Sequence, residues 1–558
     1  MRILFLLISA LLLLSVRVEA QFTSDTLQNT LIQNLAGSEQ SVPICASTPA
    51  GQTYISWFDN SSGQYVLRMQ LLDANGNGLW GSGGIIVSAF PQSTALFRYD
   101  MAADANGNAV VAFQDERSGS LRVVAYKINS AGNFLWGNNG VALSDSTADG
   151  IAPTITFVDN GDAIVAWNAS IGSARWVSMQ RIGSGGTIVW SKRVQDSNKY
   201  TRPDLIASGS DGFILLYVKE TGNFPGVTST LFARRYDGSG NGVWTTPVQL
   251  SSKTTSFFFF PQIISDGVGG GFTVFNTSNP VNPALNDVYA QHVSAGGALW
   301  SAAGTQLANS TTDVKLTGAF CYDSGSNTLC TAIQILDVSQ ANSGFSIQRN
   351  DASGNVLLGV NALSLKPISP NYYRPLALVP AAGSLMLLYQ EGGGFGSQLL
   401  RAMKTDLAGN ALWGYDPTFC ATSSGKDDLT AGNFSNNQVV AVWSDDRLAI
   451  GSDLGIYAQN IDINGNYGAL TGIEQTITDE YIHIFPNPGR RASLLVKSST
   501  GERAELRLYS LGGQLLHRDA LNLQAGENRI VLPDTESSEA LILELQRETG
   551  ISRLRWIR

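Results

Sequence analysis

Histidine is almost missing from this chain: three occur in 558 residues, His292, His483 and His517. A His-rich metal centre or a histidine-based triad therefore has almost no material. Neither a Gly-x-Ser-x-Gly elbow nor a His-Glu-x-x-His helix occurs. Charge is also sparse, at 15% of residues with a net of -9. From Tyr481 onward eleven basic residues meet nine acidic ones, so the acidity lies in the earlier part. An acidic surface repels phosphate backbones, which argues against a nucleic-acid partner. Long apolar runs are missing apart from residues 3–16, and that run is shorter than the roughly 18–20 residues of a membrane span. It follows Arg2 and precedes Val18, Glu19 and Ala20, the layout of a signal peptide over 1–20 cut between Ala20 and Gln21. The mature chain is thus expected to be exported and to lack a transmembrane span.

Cysteine is scarce as well, with Cys45, Cys321, Cys330 and Cys420. Cys321 and Cys330 are symmetric about a turn at 323–327, so they should face each other across two strands. An oxidising compartment allows a disulfide between them; two buried thiols are the alternative. Nothing in the spacing pairs Cys45 with Cys420.

Glycine is plentiful, at 58 residues, and much of it sits in a recurring phrase. Asp73, Gly76 and Trp80 form the first copy; Asn129, Gly132 and Trp136 the second. Gly186 with Trp190, Gly240 with Trp244, Gly296 with Trp300 and Gly409 with Trp413 follow. Two degenerate copies carry Leu358 and Tyr467 near the tryptophan position. A step of about 54–58 residues signals a repeat architecture. Each unit reads as four short strands with polar turns: in the second, 100–104, 109–113, 121–128 and 141–143. Four antiparallel strands per repeat describe a propeller blade. The expected fold is all-β, a closed β-propeller over 21–470. Eight four-stranded blades are counted, with seven and an irregular insertion as the alternative. The segment 30–35 resembles a fourth strand without a blade, and the last unit lacks one. The N-terminal strand is expected to complete the last blade, since an open ring would leave strand edges unpaired.

The glycines suit turns that need positive φ, and Asp or Asn can bond its own backbone two residues on. Trp80, Trp136, Trp190, Trp244, Trp300 and Trp413 are read as residues that pack between blades rather than as sugar platforms, because stacking is what every repeat requires. The Asp73/Asn75/Asn77 and Asp462/Asn464/Asn466 patterns hint at calcium, but no distal bidentate carboxylate follows, so turn chemistry is preferred. No metal or cofactor is expected. Asp115, Glu116 and Arg117, Asp445, Asp446 and Arg447, and Asp59 follow second strands; they are read as exposed local pairs worth about 0–1 kcal/mol. No spacing singles out catalytic residues. Scattered carboxylates converging in a central tunnel stay open as a glycosidase arrangement.

Residues 471–480 read as a linker. From 481 to 558 short alternating segments suggest a small immunoglobulin-like β-sandwich. Its opening Pro486-Asn487-Pro488, the segment containing Leu508, Tyr509, Gly512 and Gly513, the turn at Gly526 and Asn528, and a last strand at the chain terminus together resemble the type A C-terminal sorting domain of the type IX secretion system of Bacteroidetes. Glu539, Ala540 and Leu541 stand where that family usually has Gly-x-Tyr. The repeats are also similar to propeller repeats of such exported proteins, through Trp443, Asp445, Arg447 and the Ile456-Tyr-Ala-Gln459 strand. The resemblance implies a partner, the type IX machinery, and passage through the periplasm to the outer-membrane surface or the medium. The main functional expectation is a non-enzymatic binding or adhesion module for a glycan or protein. The alternatives are a polysaccharide hydrolase or lyase using tunnel carboxylates, and a structural surface-layer component. The search for a ligand site falls on what differs between copies: 220–230, 257–260, 277–287 and the sixth unit.

Overall fold

The computed structural model describes residues 21–144, 147–223, 226–256, 259–279, 282, 285–392, 398–449, 451–468, 482–485, 492–498, 500–510, 514–533, 541–547 and 550–556. The signal segment 1–20 with Ala20, the linker 471–480, and Pro486, Asn487, Pro488 and Gly512 lie outside the described residues. The chain divides into two compact units, up to residue 469 and from residue 470. All regular structure among the described residues is β-strand, and no helix is long and apolar enough to cross a membrane.

Among the described residues the first unit holds eight antiparallel sheets of four strands each. Sheet 1 is Gln40–Ser47, Thr53–Asp59, Tyr65–Leu72 and Ile85–Gln92. Sheets 2 to 7 repeat this order and open on Asp100–Ala103, Asp149–Phe157, Lys199–Ser208, Ile263–Ser265, Val314–Asp323 and Tyr372–Ala381. Sheet 8 takes Lys426–Ala431, Gln438–Ala449 and Asp453–Asp462, and its fourth strand is Thr30–Gln33 from the other end of the unit, with Thr30 opposite Ala458. Sheet 8 also bonds to sheet 1: Asn436 Nδ2 donates to the Gly51 carbonyl at 3.1 Å and Gln438 Nε2 to that of Ala74 at 2.7 Å. Second strands such as Ala109–Asp115 are buried at every position, because both faces of a sheet are covered by the next sheets.

The recurring phrase does two jobs. Its first residue closes the turn: Asp73 Oδ1 accepts the Asn75 and Asn77 amides at 2.8 and 2.9 Å, and Asn129, Asp237, Asp351, Asp406 and Asp462 repeat the pattern. Its tryptophan reaches the following sheet. Trp80, Trp136, Trp190, Trp244, Trp300 and Trp413 each donate Nε1–H to a carbonyl in the next copy's turn, at 2.9–3.1 Å. The ring lies over a glycine there: a Cβ on Gly354, at φ +87°, would come within 2.7 Å of Trp300. In the fifth copy the glycine with positive φ is Gly297, one residue past Gly296.

Two expectations need correction. Cys321 and Cys330 are register partners, but both are free thiols and no disulfide joins them. A disulfide needs Cβ atoms about 3.8 Å apart and a near-perpendicular dihedral. Directly opposed strand residues start at about 4.5–5.5 Å, so the sulfurs meet as hydrogen-bonding neighbours, which raises Cys321 and lowers Cys330. The second concerns the aspartates after the second strands. They do pair locally, Asp59 with Arg68, Asp115 with Arg117 and Asp445 with Arg447 at 2.6–2.8 Å, but the carboxylates are buried, not exposed. Neighbouring strands wall them in, and they act as hubs: Asp445 also accepts from Ser424 and from the Trp443 indole.

Among its described residues the second unit contains two antiparallel sheets. Ile482–Phe485, Ser493–Ser498 and Gly526–Val531 form one; Leu515–Leu523, Glu502–Ser510, Leu541–Arg547 and Gly550–Trp556 form the other. They share one apolar core that includes Leu494, Val496, Leu506, Leu508, Leu543 and Leu545. Gly526 sits at φ +103°, and Asn528 closes its turn by accepting from Gln524 N and donating to Gln524 O, both at 2.8 Å.

Candidate functional site

The first strands of the sheets carry an irregularity at one equivalent place. A register shift interrupts the pairing of the first strand in sheets 1, 3, 4, 6, 7 and 8, two to four residues in. At four of these shifts a residue other than glycine has positive φ: Val42, Ala152, Arg202 and Asp428, at 51–54°. That conformation costs about 1–3 kcal/mol at each residue and persists only where the surroundings enforce it. Proline follows three of them, as Pro43, Pro153 and Pro203, and also Phe260 and Arg374, as Pro261 and Pro375. The bulge re-aims the side chains around it toward the space between first strands.

Four sheets contribute to one recess of about 100 Å³. The residues before the prolines, or before Tyr99 in sheet 2, are Arg98, Ala152, Arg202 and Phe260. Two positions later stand Asp100, Thr154, Asp204 and Gln262. Gln262 also borders a larger cavity of about 540 Å³ between the first strands of sheets 5 to 8, whose walls include Ile264, Ala319, Leu376, Leu429 and Ala431. On the far arc, Arg374, Lys426, Asp427 and Asp428 border a further recess of about 390 Å³. The space between these first strands is thus apolar in its body and charged at one level.

At that level Phe260 is 47% exposed, with the Arg98 and Arg202 guanidiniums over its ring at 5.6 and 5.8 Å. Arg202 is fixed by Glu220, a buried carboxylate 2.9 Å away. Among the described residues Arg98 has no ion-pair partner within 4 Å.

Beneath them, Thr154 Oγ1 lies 3.3 Å from Asp100 Oδ2 and 2.9 Å from Asp204 Oδ1. Asp100 also accepts the Ile155 and Met101 amides, and Asp204 the Ile263 amide, each at 2.8 Å. Burial raises both carboxyls, opposed by these amides and by the Arg98 charge, and Asp204 is pushed up to about 6. One hydroxyl hydrogen cannot serve two carboxylates. The second short contact is satisfied when one carboxyl brings its own proton, so geometry and burial favour the same state.

The other sequence candidates lie elsewhere. His292 bonds Asp266 at 2.8 Å and rests on Phe272, within sheet 5. The six tryptophans lie between sheets. Of the variable segments, 220–230 supplies Glu220 and 257–260 supplies Phe260. No local sequence pattern marks the Asp100, Thr154 and Asp204 set, although the recurring prolines at 43, 153, 203, 261 and 375 mark its level.

No family profile matches the chain, and no curated protein matches it. Among solved structures it is similar to an ulvan lyase of polysaccharide lyase family PL25 bound to -[GlcA(1-4)Rha3S]-, with 10% identity over 79% of this chain and 97% of that one, at a TM-score of 0.41. It is similar to the α-L-arabinanase of Penicillium chrysogenum complexed with arabinobiose, with 12% identity over 61% and 98% and a TM-score of 0.37. It is also similar to the endo-arabinase of Bacteroides thetaiotaomicron, with 13% identity over 57% and 98% and a TM-score of 0.28. At such scores these likenesses carry no argument about activity.

Proposed function

We propose that the eight sheets are the blades of a closed propeller and that the charged level at its channel holds and hydrolyses an acidic polysaccharide. The observation that carries this is the Asp100–Thr154–Asp204 set lying under an exposed aromatic ring flanked by two guanidiniums. Phe260 offers a sugar face, Arg98 and Arg202 offer charge to an acidic substituent, and Asp204, raised toward neutrality, is the general acid. Asp100 is its carboxylate partner. Their facing oxygens can be no farther apart than the two contacts to Thr154 laid end to end.

The test is reducing-sugar release from a panel of acidic polysaccharides by the full chain, D204N and D100N. Release that both substitutions abolish supports hydrolysis; release that survives both refutes the assignment. Glycan binding without chemistry is the second reading, favoured because every oxygen of the two carboxyls already has a protein donor. It predicts retention of the polysaccharide on a column, no release, and loss of retention in R98A and F260A.

Export through the type IX system to the cell surface or medium is part of the same proposal. It is supported by the sequence features of the C-terminal unit and by its two sheets around one core, read as an immunoglobulin-like sorting domain.

A further inference from the structure

Sheet 3 lacks a residue that its counterparts in sheets 1, 2 and 8 possess. There a second-strand aromatic is followed two residues later by a buried aspartate: Trp57 and Asp59, Phe113 and Asp115, Trp443 and Asp445. The aspartates pair with Arg68, Arg117 and Arg447. Both indoles in this group are satisfied, Trp57 Nε1 by Gln33 at 2.7 Å and Trp443 Nε1 by Asp445 at 3.1 Å. In sheet 3 the aromatic is Trp167 and the aspartate is replaced by Ala169.

The consequence is a cavity of about 340 Å³ bordered by Trp167, Ala169, Trp176, Gln180, Lys192 and Arg193. Trp167 is 3% exposed, and its Nε1–H has no partner among the described residues. Gln180 Oε1 is likewise buried and unpartnered, while its amide nitrogen donates to Ser191 at 3.0 Å. An orphaned buried donor costs about 1–3 kcal/mol, so two polar atoms facing one cavity point to a missing partner. Among the described residues the cavity wall has two cations and no carboxylate, in a chain of net charge -9. Arg193 lies 6.0 Å from the Trp176 ring.

We infer that sheet 3 carries a second binding site, for the carboxylate of a uronic-acid residue. The carboxylate takes the place of the absent aspartate, accepts the Trp167 Nε1–H and pairs with Arg193. The two indoles flank the sugar ring, and Gln180 Oε1 accepts from a hydroxyl. The site is separate from the channel and stands whether or not the channel residues catalyse.

The experiment titrates glucuronate and glucose into the full chain carrying R98A, which weakens the channel level, and follows tryptophan fluorescence. Saturable quenching by glucuronate and none by glucose is expected. W167F keeps an aromatic ring, though a smaller one, and removes the donor, and should weaken glucuronate about ten-fold or more, the worth of one hydrogen bond to a charged group. A169D supplies the aspartate seen in sheets 1, 2 and 8 and should abolish binding while keeping or raising the thermal midpoint, which shows that the fold is intact. Equal response to glucose, no response to glucuronate, or unchanged binding by a folded A169D overturns the assignment.

Discussion

Replacing Asp204 by asparagine should stabilise this protein at neutral pH. In the native state Asp204 is raised to about 6 by burial, from an ordinary value of 3.8. The folded chain therefore binds that proton more tightly than the unfolded chain. Between pH about 4 and about 6 the native state holds more protons, so its stability falls as pH rises and stays low above pH 6. A displacement of that size corresponds to at most about 3 kcal/mol. The asparagine of D204N can accept from Ile263 N through its oxygen and donate to Thr154 through its amide. The Thr154 hydroxyl is then released to donate to Asp100, so each contact is kept without a buried charge. D204A removes the acceptor, leaves the Ile263 amide orphaned, and should cost about 1–3 kcal/mol relative to D204N. Urea midpoints of the three chains at pH 4, 5, 6 and 7 measure this. D204N and wild type should coincide near pH 4 and separate, with D204N higher, by pH 7. If D204N is less stable than wild type at pH 7, or shows the same slope with pH, the shared-proton account is wrong.

Three further outcomes follow from the packing. W136A should lower stability by about 3–5 kcal/mol and W136F by about 1 kcal/mol, read by thermal denaturation, because the phenylalanine loses only the bond to the Ser184 carbonyl and part of the ring. Arg447 bonds Asp445, the Gln28 carbonyl and Asn29, so R447A should cost about 3–5 kcal/mol and expose residues 21–35 to limited proteolysis earlier than the rest of the unit. A chain truncated after Glu480 should accumulate in the periplasm of a native host; normal surface display would refute the sorting-domain reading.

The four-strand unit was legible because period-2 alternation and glycine turns repeat with each copy. The eighth sheet was legible for a subtler reason: residues 30–35 looked like a fourth strand with no sheet, and the last copy lacked one. The Asp100–Thr154–Asp204 set was not legible, because its members come from three copies and differ in type. Nothing local marks Thr154 as the residue between two carboxyls. The buried state of Asp59, Asp115 and Asp445 was also hidden, since a polar residue beside a turn reads as solvated unless the neighbouring strands are known. The cysteine pair shows the converse: hairpin symmetry predicts which residues face each other, but bond formation depends on a fraction of an ångström in strand twist.

By itself the sequence determined the repeat, the strand content and the turn chemistry, because these rest on interactions within a few residues of one another. Only the tertiary structure decided which repeated residues became contacts between sheets and where one repeat leaves a cavity beside a buried indole. Trp136 meets Gly186 fifty residues on, and Ala169 leaves a gap only because Trp167, Gln180 and Arg193 surround it. Such relations depend on how strands from several segments are brought together, which no local pattern records.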